Sequence, residues 1–252
     1  MSEIQTAIVT AAAGVGIGSA IARQLARDGM RVIVTDSHER RCGEYAAAIA
    51  AETGAEVHGM ALDVTDAARV EEVMNNVAAR FGGIGVLVNN AGFNKIEPVS
   101  EMALDTWRKS LDIDLNGTFY CMRYALPHMI AGGGGNIVNI SSIGAWECSE
   151  EHGAAYAAAK AGVMALTRVA AAENGRHGIR VNAVAPGLIY NEFLRKIYPA
   201  EFFDGYAKER SYVGRVGKPE DVGHLVSFLV SDKAGYITGE TYGISGGVFP
   251  HG

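Results

Sequence analysis

The sequence predicts an α/β domain in which a parallel sheet is covered by helices on both faces. Three observations carry this. Short runs rich in β-branched residues alternate with longer runs of helical spacing. The short runs are almost continuously apolar, and the first of them ends in a glycine-rich turn that opens a helix. A strand buried on both faces reads as a continuous apolar run, and strand–helix alternation places parallel strands in one sheet.

In chain order, TAIVT (Thr6–Thr10), RVIVTD (Arg31–Asp36), AEVHGMALD (Ala55–Asp63), GVLVNNAG (Gly85–Gly92), GNIVNISS (Gly135–Ser142) and IRVNAVAPG (Ile179–Gly187) read as strands. Gly18–Asp28, Glu39–Thr53, Thr65–Phe81 and Ala154–Asn174 carry apolar residues at helical spacing between them. This rhythm leaves no room for a second domain, so residues 1–252 read as one unit. Two segments break it: Tyr190–Tyr212, rich in aromatics, and the glycine-rich tail from Thr238.

Composition narrows the function. The chain has 252 residues, 48% hydrophobic and 20% charged, enough for one large core. A formal net charge of −6 argues against nucleic acid as a partner, which needs a basic face. No apolar run approaches the roughly 18 residues of a membrane span. The opening MSEIQTAIVT lacks a basic-then-apolar leader, so a cytoplasmic protein is expected. Cys42, Cys121 and Cys148 are far apart and read as reduced thiols. The seven histidines form no ligand spacing, so no metal is expected.

The turn after the first strand, AAAGVGIGSAIA, crowds Gly14, Gly16 and Gly18 at a strand-to-helix junction. Glycine there permits positive φ and lets backbone N–H groups approach a phosphate at the helix N-terminus. Asp36 closes the second strand near the offset of an acid that accepts hydrogen bonds from an adenosine ribose. A carboxylate there repels a 2′-phosphate and favours NAD over NADP, while Arg40 and Arg41 soften the preference and keep NADP possible. Farther on, Tyr156 and Lys160 are i and i+4 and share one face of a helix. A phenol has a reference pKa of ~10, and an ammonium beside it favours the phenolate, which suits general acid–base chemistry.

Eight motifs in order resemble the short-chain dehydrogenase/reductase family, in its single-domain, 3-oxoacyl reductase-like branch. They are GIG (Gly16–Gly18), LDV (Leu62–Val64), NNAG (Asn89–Gly92), NISS (Asn139–Ser142), Tyr156-x-x-x-Lys160, VNAVAPG (Val181–Gly187), GRVGKPEDV (Gly214–Val222) and YITGETYGISGG (Tyr236–Gly247). The resemblance implies a doubly wound Rossmann sheet of seven parallel strands in the order 3-2-1-4-5-6-7. It also implies an oxidoreductase moving hydride between a nicotinamide and a substrate carbon. Tyr156 would pass the proton, Lys160 would hold the nicotinamide ribose, and Ser142 would bond the substrate oxygen. Asp63 and Val64 would meet the adenine. Asn90, Ala91 and Gly92 would line the cofactor cleft, with Pro186, Gly187 and Ile189 at the nicotinamide. Backbone groups of Val15 and Ile17 would face the pyrophosphate and nicotinamide side.

Three departures stand out. The family opens its first turn with Thr-Gly, and the alignment on GIG puts Ala11 and Ala12 there. Asp114 occupies the place of the catalytic asparagine. It cannot donate as an amide does, so a relay is expected through its main chain. Asn191 replaces a threonine at the nicotinamide carboxamide.

The segment 190–212 falls where the family carries its substrate lid. Phe193, Leu194, Ile197, Tyr198, Phe202, Phe203 and Tyr206 make it apolar, with Trp146 and Phe93 as further walls. Arg195 and Lys196 offer a handle to an acidic group such as a coenzyme A phosphate. A hydrophobic ketone or secondary alcohol is the expected substrate, either a 3-oxoacyl thioester or a cyclic, steroid-like compound. The alanine-rich helix around Tyr156 implies, by resemblance, a homotetramer or homodimer. The alternative from another class is a non-catalytic NAD(H)-sensing regulator. An epimerase would need a longer substrate domain, and no GxSxG elbow supports a hydrolase.

Overall fold

The computed structural model describes residues 5–147 and 153–250, apart from the side chains of Phe193, Lys196 and Ile197. Cys148 therefore lies outside the described residues. Seven parallel strands form one sheet in the expected order, β3-β2-β1-β4-β5-β6-β7. They are β1 (Thr6–Val9), β2 (Arg31–Asp36), β3 (Val57–Ala61), β4 (Val86–Asn89), β5 (Gly135–Ile140), β6 (Ile179–Pro186) and β7 (Thr241–Ile244). The glycine-rich tail thus supplies the edge strand β7, which pairs with β6 from Ala183↔Thr241 to Pro186↔Ile244.

The continuous apolar runs have the reason anticipated for them. Successive strand residues point to opposite faces, and both faces are buried. Val9, Val32, Val34, Val88 and Val138 pack with α1 (Ile17–Arg27), α2 (Glu39–Thr53) and α9 (Pro219–Val230). Ile8, Ile33, Leu87, Ile137 and Val181 pack with α3 (Ala67–Phe81), α5 (Gly117–Ala131) and α6 (Ala154–Asn174). The strand order reverses at β1 and β4, which opens a crevice at their carboxyl ends.

Between α4 (Leu104–Ser110) and α5 the helix does not stop. Residues Leu111–Asn116 continue it as a π-helical turn, with right-handed helical torsions at both junctions. Gly117 follows because a Cβ there would stand 2.7 Å from the Val64 side chain. Gly162 of α6 admits the Leu115 side chain in the same way. Gly162 therefore serves close packing inside the chain. Past β6 come α7 (Glu192–Ile197) and α8 (Ala200–Glu209), which cover the crevice.

Candidate active site

The first turn is built differently from the sequence expectation. None of Gly14, Gly16 and Gly18 adopts positive φ; that conformation falls on Ala11, at φ 50°. Gly18 is required by proximity instead. A Cβ there would lie 2.5 Å from the Asn90 amide nitrogen and 2.6 Å from the Ala11 carbonyl. It is buried and acts by letting these groups meet. The hydroxyl that the alignment on GIG seemed to lose is present one residue earlier. Thr10 Oγ1 accepts from the backbone N–H of Asn90 (2.8 Å) and Ala91 (3.1 Å). The turn is one residue longer than the alignment allowed, and Ala11 sits after the threonine in the left-handed conformation glycine would favour.

These contacts leave the N-terminus of α1 open. Gly16, its N-cap, contributes no side-chain cap to the first-turn N–H groups. Such a terminus favours an anion. Gly14, Val15 and Gly16 line a cavity of about 600 Å³ with Ser19, Tyr45 and Asn191. On the other side of the turn, Ala11, Asp36, Leu62, Asp63, Val64, Ala91 and Gly92 line one of about 610 Å³. A carboxylate at the end of β2, in a cavity that mixes Leu62, Val64 and Ile113 with Ser37, Thr65, Arg108 and Lys109, fits a ribose and a planar base, so the residues present suit a dinucleotide. Asp36 Oδ1 accepts from the His38 N–H at 3.3 Å. Arg40 pairs with Glu44 at 3.3 Å, and the Arg41 guanidinium donates to the Ala13 carbonyl, fastening the turn.

A third cavity, of about 670 Å³, brings together Ile17, Asn90, Gly92, Ser142, Tyr156, Lys160, Pro186, Gly187, Ile189 and Asn191. Ser142 follows β5 in an extended conformation and caps the short turn Ile143–Ala145, its Oγ accepting from the Gly144 N–H at 3.1 Å. Tyr156 and Lys160 rise from the first two turns of α6, with the Lys160 ammonium 5.5 Å from the centroid of the Tyr156 ring. Lys160 is buried, donates to the Ile140 carbonyl at 2.9 Å, and lies 3.0 Å from Asp114 Oδ1.

Asp114 does not line this pocket. It sits on the π-helical turn, wholly buried, with Oδ2 accepting from the Phe93 N–H at 3.0 Å. Burial pushes its carboxyl above the usual aspartate range, against the opposing pull of Lys160. Its main-chain carbonyl, expected to hold a relay, already accepts from Thr118 Oγ1 at 2.8 Å. The Asp114 side chain meets the pocket through Lys160, while the carbonyl keeps its second lone pair.

Leu194, Tyr198, Phe202 and Tyr206 of the lid line the pocket, as does Phe93. Phe203 is buried beneath them, its ring 5.2 Å from that of Tyr190. Trp146 stacks on Phe249 of the tail instead of walling the pocket. Arg195 is exposed near Glu192 and away from the pocket. Asn191 Oδ1 accepts from the Leu194 N–H at 2.9 Å, capping the lid helix.

A family model described as enoyl-(acyl carrier protein) reductase matches residues 11–249. An indene-carboxyl-CoA reductase of Mycobacterium tuberculosis is 43% identical over 241 residues, covering 94% of this chain and 90% of its own. Cis-4-hydroxycyclohexanecarboxylate dehydrogenase of Sinomonas cyclohexanicum is 40% identical over 245 residues, covering 96% of each. A solved short-chain type dehydrogenase/reductase from Mycobacterium ulcerans superposes with a TM-score of 0.92 at 30% identity, over 97% of this chain and 89% of the other. The chain belongs to the short-chain dehydrogenase/reductase family.

This short-chain dehydrogenase/reductase is an oxidoreductase acting on CH–OH groups of small alcohols or on the corresponding ketones, with a nicotinamide dinucleotide. Nothing in the relatives supports the sensor alternative. No helix among the described residues is long and apolar enough to cross a membrane, and no cluster among them could hold a metal. Sequence reasoning missed two charged residues of the pocket. Glu147, after β5, pairs with Arg210, at the end of α8, joining the Ser142 loop to the lid. The Arg210 guanidinium also stands 5.2 Å from the Tyr206 ring centroid. The only signal in the sequence was an acidic loop after Ser142 and a basic residue near the end of the segment 190–212.

Proposed function

We propose that this protein is an NAD(H)-dependent reductase or dehydrogenase of a hydrophobic cyclic ketone or secondary alcohol. The observation that carries the reading is the convergence of Ser142, Tyr156 and Lys160 in one pocket beside Gly92 and Pro186–Ile189. When bound, the nicotinamide supplies or accepts the hydride. Tyr156 donates the proton to the substrate oxygen in reduction and removes it in oxidation. Ser142 Oγ bonds the same oxygen and steadies its developing charge. Lys160 holds the nicotinamide ribose and supports the phenol. Asp36 takes the adenosine ribose, with Asp63 and Val64 at the adenine and the open first turn of α1 at the pyrophosphate. NAD is preferred because Asp36 lines the ribose cavity, whereas Arg40 and Arg41 do not, the first pairing with Glu44 and the second holding the Ala13 carbonyl.

Two relatives support a ring substrate bearing an acyl or carboxyl group, since their names place one on an indene and one on a cyclohexane. The pocket is largely apolar, and the segment 190–212 acts as the lid over it. Ala158, Ala161, Ala165 and Val169 form an exposed stripe of small residues on α6, suited to contact with a second copy in a homodimer or homotetramer.

The test is turnover followed at the reduced-nicotinamide absorbance. NADH and NADPH are compared across 4-oxocyclohexanecarboxylate, bicyclic ketones and 3-oxoacyl thioesters, with Tyr156→Phe as the control. Faster turnover of ring ketones with NADH, lost in the variant, is expected. Undiminished turnover in Tyr156→Phe would sink the assignment of the proton donor.

A further inference from the structure

Asp114 poses a question that the hydride chemistry leaves open. A buried carboxylate is expensive to ionise, yet this one is placed against the ammonium on which the site depends. Asp114 is wholly buried and Lys160 is 3% exposed, with 3.0 Å between Oδ1 and Nζ. Gly92 backs onto both groups: a Cβ there would lie 3.0 Å from Asp114 Oδ1 and 3.5 Å from Lys160 Nζ. The Phe93 N–H fixes the other carboxylate oxygen, and the Ser110 hydroxyl lies 3.5 Å from it. The π-helical turn sets Asp114 on the face that meets α6.

An ammonium alone beside a phenol favours the phenolate. Paired at contact distance with a carboxylate, it acts on a third group as a dipole, whose field falls off faster with distance than that of a charge. Other groups do little to replace it. Among the described residues, the charged side chains lining the pocket besides Lys160 are Glu147 and Arg210, which pair with each other. Tyr198 and Tyr206 face the pocket from the lid. Lys109 lies over the Phe93 ring, 4.4 Å from its centroid, and does not line the pocket.

We propose that Asp114 is a positioning residue that takes up much of the Lys160 charge, so that the site keeps its proton through neutral pH and is set for carbonyl reduction. This rests on Tyr156 being the proton-transfer group. In reduction the phenolic O–H bond breaks as hydride from the reduced nicotinamide reaches the carbonyl carbon. The proton passes to the substrate oxygen, and the phenolate regains one from solvent. Ketone, reduced nicotinamide and one proton give alcohol and oxidised nicotinamide. Alcohol oxidation needs the phenolate at the outset, and with Asp114 present it waits for alkaline pH.

Two measurements test this on Asp114→Asn, with Asp114→Ser as a second variant and circular dichroism to verify folding. One is kcat/KM for oxidation against pH, using NAD and the alcohol of the best ketone in the panel. The other needs no cofactor: tyrosinate absorbance is titrated in the free protein, with and without Tyr156→Phe in each background. The oxidation limb and the Tyr156-dependent tyrosinate step should both move to lower pH in Asp114→Asn, by about one unit or more. A folded variant in which neither moves overturns the proposal. So does a parent enzyme whose oxidation rate is already flat from pH 6 upward, a result that requires no variant. Active Tyr156→Phe would instead bring down the proton-donor reading beneath it, so the two failures are separable.

Discussion

The floor and the lid of the pocket each carry an ion pair, and the two pairs are built on different terms. On the floor, Asp114 and Lys160 are 0% and 3% exposed and belong to elements locked into the core. At the lid, Glu147 and Arg210 are 13% and 30% exposed and link a loop to the end of a short helix. Removing one partner of a buried pair strands a charge with no water to take it, whereas a pair that keeps some contact with water, through Arg210 above all, loses less. Changes at the floor should therefore act on folding and on the chemical step. Changes at the lid should act on how firmly the substrate is held.

The largest expected effect is at the floor: Tyr156→Phe should lower kcat by about 10³-fold with cofactor affinity nearly intact. Steady-state kinetics and a fluorescence titration with NADH check both halves. Next, Asp114→Ala should lose about 3–5 kcal/mol in urea denaturation, because it leaves the Lys160 ammonium buried opposite a methyl group. Asp114→Asn keeps an acceptor and should lose far less. A similar loss in both would mean that shape matters at 114 and charge does not.

The pH dependence of that comparison has a definite sign. The folded-state pKa of Asp114 is raised by burial. Its stabilisation relative to Asp114→Asn is therefore fully present below the ordinary aspartate value and fades as pH rises through the raised one. Urea midpoints of the two proteins from pH 4 to pH 8 should diverge in that direction. A parent that gains on the variant with rising pH would show that the ion pair outweighs desolvation.

At the lid, Arg210→Ala and Glu147→Gln should each raise KM several-fold with little change in kcat, corresponding to about 1 kcal/mol. A kcat loss as large as that of Tyr156→Phe would erase the distinction between floor and lid. The smallest effect should come from the first turn. Ala11→Gly relieves a left-handed alanine worth about 1 kcal/mol, partly offset by the freedom glycine adds to the unfolded chain, and should raise Tm by ~1–3 °C.

Much of this was legible in the sequence because strand burial and turn chemistry leave local marks. The bounds of β2, α2 and α6 agree with the runs read from the sequence, and α2 shows a local stop in Gly54, its left-handed cap. Ser142, Tyr156 and Lys160, which line one pocket, could be singled out because two share a helix face and the third follows a strand. The register of the first turn was misread because Thr10 declares its role only through the N–H groups of Asn90 and Ala91, 80 and 81 residues away. Glu147 and Arg210 were missed for the same reason, being 63 residues apart with no common periodicity.

By itself, then, the sequence determined the order of strands and helices, the two-faced core and which side chains of α6 point together, because these follow from the 2.0 and 3.6 periodicities of neighbouring residues. Only the tertiary structure decided where the Asp114 carboxylate lies and what it touches. Whether a carboxylate is a surface group, a relay or the counter-charge of a buried lysine depends on solvent and on neighbours brought in from elsewhere in the chain. Here a π-helical turn, Gly92 and Lys160, which is 46 positions after Asp114, meet where water does not reach.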